Sequence, residues 1–490
     1  MKFRVRWAAA LTALAAAALF ALTGVAGANV ALTQVSADPY TNATSQHATE
    51  VEPDTFADHG TVVAAFQVGR FFNGGASDIG VARSADGGAT WGTPGFLHLT
   101  FNSGDSSSPY ERVSDPSVAY DAAHGVWLVS SIPLLPNTSV PTVFVNRSTD
   151  DGLTWGPAIS LPPPVAHSVD LDKNWTVCDT HAASPFYGHC YTELDNFGDG
   201  DRELMSTSTD GGLTWSTPIQ TAGHDKGLGG QPVVQPNGRV IVPFESLKGT
   251  ISAFSSDNGG ASWGKAFTVS HIRLHGNTGG LRTSPLPSAE IAADGRVFVA
   301  WEDCRFRKGC TANDIVFSTS TDGANWSDVA RVPIDDVTSG VDHFIPGLAV
   351  DPTTSGSSTK LALTYYFYPD TTCTGGCRLD VGYISSPDAG AHWGAPTQLA
   401  GPMTLDQIAQ TSQGPMVGDY ISTSFSGGLA TTVFAVGKPA TTAAFDEAMY
   451  SPGRLAIATA AQANRVATTK GAEPITGVGI GETIHALRND

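Results

Sequence analysis

The chain has 490 residues and a formal net charge of −19, with 27 Lys and Arg against 46 Asp and Glu. An acidic balance of this size argues against nucleic acid or an anionic membrane surface as partner, and leaves any acidic ligand to a local Arg cluster rather than long-range steering. With 54 Gly, 30 Pro and only 15% charged residues, the composition suits a turn-rich all-β protein, and 41% hydrophobic residues are ample for a core.

The first segment reads as an export signal. Lys2, Arg4 and Arg6 form a basic start, an Ala/Leu run follows to Leu22, and Ala26-Gly27-Ala28 is a cleavage site. A signal peptide over residues 1–28 and a secreted, extracellular mature chain from Asn29 are expected. The alternative, an uncleaved membrane anchor, lacks a stop-transfer flank. No other segment is long and apolar enough to span a bilayer. Residues 29–37 (NVALTQVSA) are β-like and belong to no later unit.

Six times the chain then returns to one short phrase. The copies are SADGGATW at 84–91, STDDGLTW at 148–155, STDGGLTW at 208–215, SDNGGASW at 256–263, STDGANW at 320–326 and SPDAGAHW at 386–393. The fourth has Asn258 in the Asp place, the fifth is one residue short, and the last has His392 in the seventh place. The phrase reads as a hairpin tip. Ser and Asp side chains cap backbone N–H groups, Gly supplies a positive φ, and the Trp drops onto the sheet. A repeat at this spacing dictates the architecture.

The phrase is the Asp-box, and over residues 50–450 the chain resembles the sialidase-like, BNR-repeat β-propellers. Alternating apolar and polar runs argue three strands before each box and one after it. First strands open near Glu52-Pro53, Asp115-Pro116, Lys173-Asn174-Trp175, Gln231-Pro232, Ser288-Ala289, Ile345-Pro346 and Gly418-Asp419-Tyr420. That predicts seven four-stranded blades, with six, the number in true sialidases, as the alternative. The last unit lacks a fourth strand, which residues 29–37 would supply to close the ring and remove its edges. One propeller domain over 29–455 and a loosely packed tail over 456–490 are expected.

In a propeller the first strands start on one face, which also carries the loops between second and third strands. The boxes lie on the opposite face as scaffold, so the site is expected at the mouth of the central channel. The first-strand openings offer Glu52, Arg112, Asp115, Asp172, Lys173, Gln231, Arg282, Asp342, His343, Asp419 and Tyr420. The second-to-third-strand loops add Arg70, Glu193, Asp195, Arg202, Glu245, Glu302, Asp303, Arg305 and Arg307. The bland reading is that single Asp residues there cap turns.

The resemblance implies a Tyr nucleophile, carboxylate acid/base groups and Arg clamps on a sugar carboxylate. Tyr420, Asp115, Asp172, Glu245 and Asp419 are the catalytic candidates. Arg112, Arg282, Arg305, Arg307, Lys173 and His343 are the substrate-binding candidates. The chain departs from the family where Val51-Glu52-Pro53-Asp54 stands in place of the early Phe/Tyr-Arg-Ile-Pro motif. The expected function is a glycan-active, exo-acting glycoside hydrolase that works as a monomer. The alternatives are a non-catalytic propeller binding a glycan or protein, or a polysaccharide lyase.

No cofactor is required by this reading. The loop Asp195-Asn196-Phe197-Gly198-Asp199-Gly200-Asp201 concentrates oxygen ligands, so Asp195, Asp199 and Asp201 suit Ca²⁺ unless the loop is a solvated acidic turn. The six cysteines sit in local pairs, which predicts disulfides Cys178–Cys190, Cys304–Cys310 and Cys373–Cys377. Metal ligation by Cys373 and Cys377 is the alternative, without a second ligand pair at zinc spacing. The Cys304–Cys310 ring would hold Arg305 and Arg307 as a rigid pair.

Overall fold

The computed structural model describes residues 30–373, 376–441 and 444–469. The expected signal segment, 1–28, and the tail beyond 469 lie outside the described residues. The fold is all-β, a set of antiparallel sheets of propeller type. Among the described residues no helix is long and apolar enough to cross a membrane.

Strands follow the chain in seven units. The first is Glu50–Asp58, Thr61–Arg70, Ala76–Ser84 and Gly95–Phe96. The second is Arg112–Asp121, Val126–Leu134, Phe144–Ser148 and Ile159–Ser160, joined to the first through Ala76 and Val113. Leu171–Cys178, Cys190–Asn196, Arg202–Ser208 and Ile219–Gln220 make the third. In the fourth, two short strands, Gly227–Leu228 and Val233–Val234, both pair with Val240–Ser246, followed by Thr250–Ser256 and Phe267–His271. The fifth is Ser288–Ile291, Val297–Asp303, Asp314–Ser320 and Ala330–Arg331. The sixth is Asp342–Val350, Leu361–Tyr368, Arg378–Ser386 and Thr397–Thr404. The seventh is Ser422–Ser426, Leu429–Gly437 and Glu447–Ser451, and its outer strand is Thr33–Gln34 from the other end of the chain.

Neighbouring first strands are tied side chain to backbone. Val118 N donates to Asp54 Oδ2 at 2.7 Å, Thr176 N to Ser117 Oγ at 3.0 Å, and Leu348 N to Ser288 Oγ at 2.9 Å. Thr423 Oγ1 donates to Gly347 O at 2.9 Å, and Thr55 Oγ1 meets Ser424 Oγ at 2.7 Å. A narrow cavity of about 180 Å³ is lined by residues of all seven first strands, among them Asp54, Val118, Thr176, Val233, Glu290, Leu348 and Ser422.

The boxes form the tips that their residues dictate. In the first, Gly88 N donates to Ser84 Oγ at 2.8 Å, and Thr90 gives its N–H and hydroxyl to the two Asp86 oxygens at 2.8 and 2.7 Å. These bonds hold the Asp86 carboxyl down at about 2. Residues 148–155 and 208–215 repeat the pattern bond for bond. Each tip also packs on the unit before it. Gly212 faces Leu128, Gly260 faces Tyr191, and Gly88, at φ +87°, lies against Thr431 of the seventh unit. A Cβ at Gly88 would overlap Thr431 Oγ1 and Cβ, and Thr431 is fully buried. Gly88→Ala is therefore expected to lower stability by about 2–3 kcal/mol, combining strained backbone with overpacking. Gly104 has φ +112° and open space around it. Gly104→Ala is the control in denaturant titrations and should cost about 1 kcal/mol.

All three disulfides are formed as local pairs. Cys178 and Cys190 sit directly opposite on adjacent strands, where side chains approach closest. Of the tail, residues 456–469 are described, and part of that stretch is paired. Trp393 and His392 pair with Arg465–Val466, and Arg465 Nη1 donates to the carbonyls of Pro333 and Ile334 at 2.8 and 2.9 Å. Backbone pairing and one buried-end cation hold an Ala/Thr-rich segment that has little apolar surface of its own.

Candidate functional site

Four first strands open with the same irregularity. The register slips between Val51 and Asp54, Ser114 and Ser117, Asp172 and Trp175, and Phe344 and Gly347. The residue inside each bulge, Glu52, Asp115, Lys173 or Ile345, takes a φ of 50–54°. A non-glycine residue there is strained by about 1–3 kcal/mol and persists only where its surroundings over-determine it. Bulges re-aim side chains. Here they bring Glu52, Asp115 and Lys173, from three units, to one cavity of about 230 Å³. Arg70, Asn73, Asp170, Asp172, Phe197, Arg282 and Gln413 also line it. Its walls include second-to-third-strand loops, at Asn73–Gly75, Thr138 and Phe197, and therefore lie opposite the boxes.

The charges inside are densely paired. Arg282 grips Asp419 through two bonds, Nε to Oδ1 at 2.7 Å and Nη2 to Oδ2 at 2.5 Å. Lys173 Nζ bonds Asp419 Oδ2 and lies 3.8 Å from Asp115 Oδ2. Burial alone would raise Asp419, but Arg282 and Lys173 outweigh it and hold the carboxyl well below its ordinary range. Glu52 is pushed the other way, up to about 8, by burial and by Asp115 and Asp419. Burial also raises Asp115, against the pull of Lys173, and the neighbouring Asp172 and Asp419 carboxyls add to the rise.

Gln67, absent from the sequence candidates, links the groups. Its Nε2 donates to Glu52 Oε2 and to Ser114 Oγ at 3.0 Å, and its Oε1 accepts from Arg70 Nη1 at 3.1 Å. A fully buried amide inside the apolar run Thr61–Arg70 was the sequence signal for it.

Several candidates stand elsewhere. Tyr420 is buried edge-on against Trp175, and its hydroxyl donates to Pro116 O at 3.0 Å. Burial and the surrounding carboxylates raise its phenol well above the ordinary value, the reverse of an activated nucleophile. Arg112 lies over the Phe71 ring and bonds Asn73 Oδ1 at 2.7 Å and Glu111. Glu245 sits in the fourth unit, accepting from Ser284 Oγ at 3.4 Å. Arg305 turns back onto Asp303, with Nε to Oδ1 at 2.9 Å and Nη2 to Oδ2 at 2.6 Å. Arg307 is fully buried against Asp314 and Asp335. His343 packs between Tyr365 and Phe367, and burial lowers its pKa. None of these lines the cavity.

The repeat can now be compared with known proteins. Residues 60–293 match the family model described as a BNR repeat-like domain. Over that stretch, just under half of the chain, it is similar to BNR repeat-like domains. The BNR match takes in the first four boxes, and the boxes at 320–326 and 386–393 lie beyond it with the same Ser-to-Gly and Asp-to-backbone bonds. No curated protein matches the chain. Among solved structures, a protein of unknown function from Dyadobacter fermentans is 17% identical, with 73% of this chain and 99% of that one covered at a TM-score of 0.46. The phage phi92 endosialidase is 13% identical, covering 91% and 72% at 0.48. An ulvan lyase is 11% identical, covering 87% and 97% at 0.48.

The acidic loop of the third BNR unit does not assemble a cation site. Asp195 lies in a strand opposite Asp172 and Glu203, while Asp199 is drawn to Arg202 at 3.5 Å. Among the described residues, the group of three ligands close enough to hold a divalent cation is instead Asp314, Asp335 and His343. Arg307 and Arg331 already donate to both of those carboxylates, so their charge is largely neutralised.

Proposed function

We propose that this is a secreted, glycan-active protein built as one seven-bladed disc over residues 29–455, closed by its N-terminal strand. It acts as an exo-acting glycoside hydrolase at the cavity around Glu52, Asp115 and Lys173. Support for the disc comes from bonds between most neighbouring first strands, including those that return from the seventh unit to the first through Thr55, Ser422 and Ser424. Support for secretion comes from the basic and apolar character of residues 1–28 together with three disulfides.

One observation carries the chemistry. Glu52, still protonated near neutral pH, faces the same small cavity as Asp115 and Asp172. Cleavage of a glycosidic bond needs an acid that holds a proton for the leaving oxygen and an ionised carboxylate for the other face. Glu52 fits the acid, and an Asp carboxylate of the same cavity fits the base.

Glu52→Gln keeps the contact with Gln67 and removes the proton. It is expected to lower release of reducing sugar by about 10²–10⁴-fold while the melting temperature stays near wild type. The hydrolase reading falls if the purified wild-type protein releases no sugar from a broad glycan panel. Unsaturated products would point to a lyase. The anchored Tyr420 hydroxyl and the paired cations favour, as second reading, a propeller that binds glycan without cleaving it. In that case Glu52→Gln changes affinity alone.

A further inference from the structure

We infer that His275 is a second recognition point on the face of the cavity, where its Nε2 accepts a hydrogen bond from a hydroxyl of a glycan that reaches beyond the Glu52 cavity. This rests on the glycan-active reading above and adds how a longer chain is held.

His275 and Asp342 pair across 67 residues, with Nδ1 to Oδ2 at 3.2 Å. Five other His–Asp pairs stand among the described residues, and in each the partner lies within nine residues, so the contact is local. Here both members hang on the buried Asn313. Its Oδ1 accepts from His275 N at 2.8 Å, its Nδ2 donates to His275 O at 2.9 Å, and its N donates to Asp342 Oδ1 at 2.6 Å. The backbone of His275 is therefore anchored without its ring, and what the ring contact adds is orientation. Asp342 is 0% exposed and accepts at Oδ2, so in the neutral imidazole Nδ1 carries the proton and Nε2 is the bare nitrogen. A carboxylate on the far nitrogen also makes the bare one more basic, and hence a stronger acceptor.

The ring is 24% exposed, and the neighbouring Gly276 has open space around it. Its segment joins the fourth unit to the fifth, between Phe267–His271 and Ser288–Ile291, and also carries Arg282, which lines the cavity. Asp342 opens the sixth first strand three residues before the bulge at Ile345. Asp170, in the cavity lining, holds the same place before Lys173. His275 itself is not in that lining, so it stands on the same face outside the cavity. A glycan seated at Arg282 and running back along the segment meets it. A sugar hydroxyl is the matching partner, an uncharged donor in need of an acceptor. An acceptor already fixed in place loses little freedom when it is used.

The test uses the full chain and a series of mono-, di- and trisaccharides of hexoses, N-acetylhexosamines and hexuronic acids, followed by titration calorimetry. The wild type should bind the trisaccharide of its preferred series at least tenfold tighter than the monosaccharide. His275→Asn keeps a donor for Asp342 where Nδ1 stood and removes Nε2. It should lower trisaccharide affinity about tenfold, the worth of one good hydrogen bond, and leave monosaccharide affinity and melting temperature as in the wild type. Unchanged trisaccharide affinity in His275→Asn would overturn the inference. So would an equal loss for both lengths, the mark of a general distortion, or a wild type that binds all lengths equally. Lower turnover at unchanged affinity would put proton transfer in place of recognition and overturn it too. In each of these cases the glycan-active reading stands. No binding or cleavage of any member would remove that reading and the inference with it.

Discussion

Asp419→Asn should destabilise the protein by about 3–5 kcal/mol, the cost of leaving buried charge without its partner. The carboxylate lies 4% exposed between Lys173 and Arg282, themselves 8% and 12% exposed. The amide keeps the shape and one acceptor but leaves two cations facing each other. Asp257→Ala is the comparison. It removes a contact to Arg239, but Asp257 is 64% exposed, so it should cost about 0–1 kcal/mol. Denaturant titration checks both. A second change, Lys173→Met, added to Asp419→Asn should recover part of the loss. Equal small losses for Asp419→Asn and Asp257→Ala would show that the buried triad contributes little.

The melting temperature is expected to peak in mildly acidic buffer and to fall by several degrees towards about pH 8. Burial pushes Glu50, Glu52 and Glu302 up to about 8 and Asp54 up to about 7. In the unfolded chain such carboxyls lose their protons near pH 4. Between about pH 4 and pH 8 the folded chain therefore holds more protons than the unfolded one, and stability falls as pH rises. That contribution is whole below about pH 4 and gone above about pH 8. Asp419 acts oppositely, as do Asp86, Asp150 and Asp322 at about 2. Their contribution is present above about pH 4 and is lost on acidification below it. Glu302→Gln removes one titrating group and should flatten the alkaline slope. A general effect of net charge would leave that slope unchanged. A melting temperature that rises from about pH 5 to pH 8 would contradict the prediction.

What was legible in the sequence was local. The box carries its own hydrogen-bond partners within five residues, so six copies could be read as hairpin tips one by one. The polar residues before Pro53 and Pro116 marked where first strands open, but not the bulges that turn Glu52 and Asp115 inward. The strand pairing of Thr33–Gln34 followed from a missing strand and a spare one. What could not be read was which acid claims which cation. Arg305 finds Asp303 two residues away, but Arg307 reaches Asp335 twenty-eight residues on, and Arg282 meets Asp419 across 137. A disulfide ring fixes a loop without fixing which way its guanidinium groups turn. The acidic loop failed as a cation site for a related reason. Asp195 is held in a paired strand while Asp199 lies in the turn Phe197–Asp199 and is drawn to Arg202, so carboxylates close in sequence need not converge.

The outer strand Thr33–Gln34 pairs with Tyr450 and Ser451, and Tyr450 Oη meets Gln34 Oε1 across 416 residues of chain. That contact sets the order of events during synthesis. The earliest of these strands to leave the ribosome has no partner until nearly the last one arrives, at about 5–20 residues per second. For that interval the edge at Glu447–Ser451 is unmade, and the sheets already synthesised must hold without it. Long-range pairing of this kind slows folding and exposes strand edges to other chains. A chain stopped before residue 447 is therefore left with an unpaired Thr33–Gln34, and aggregation rather than partial function is its natural fate.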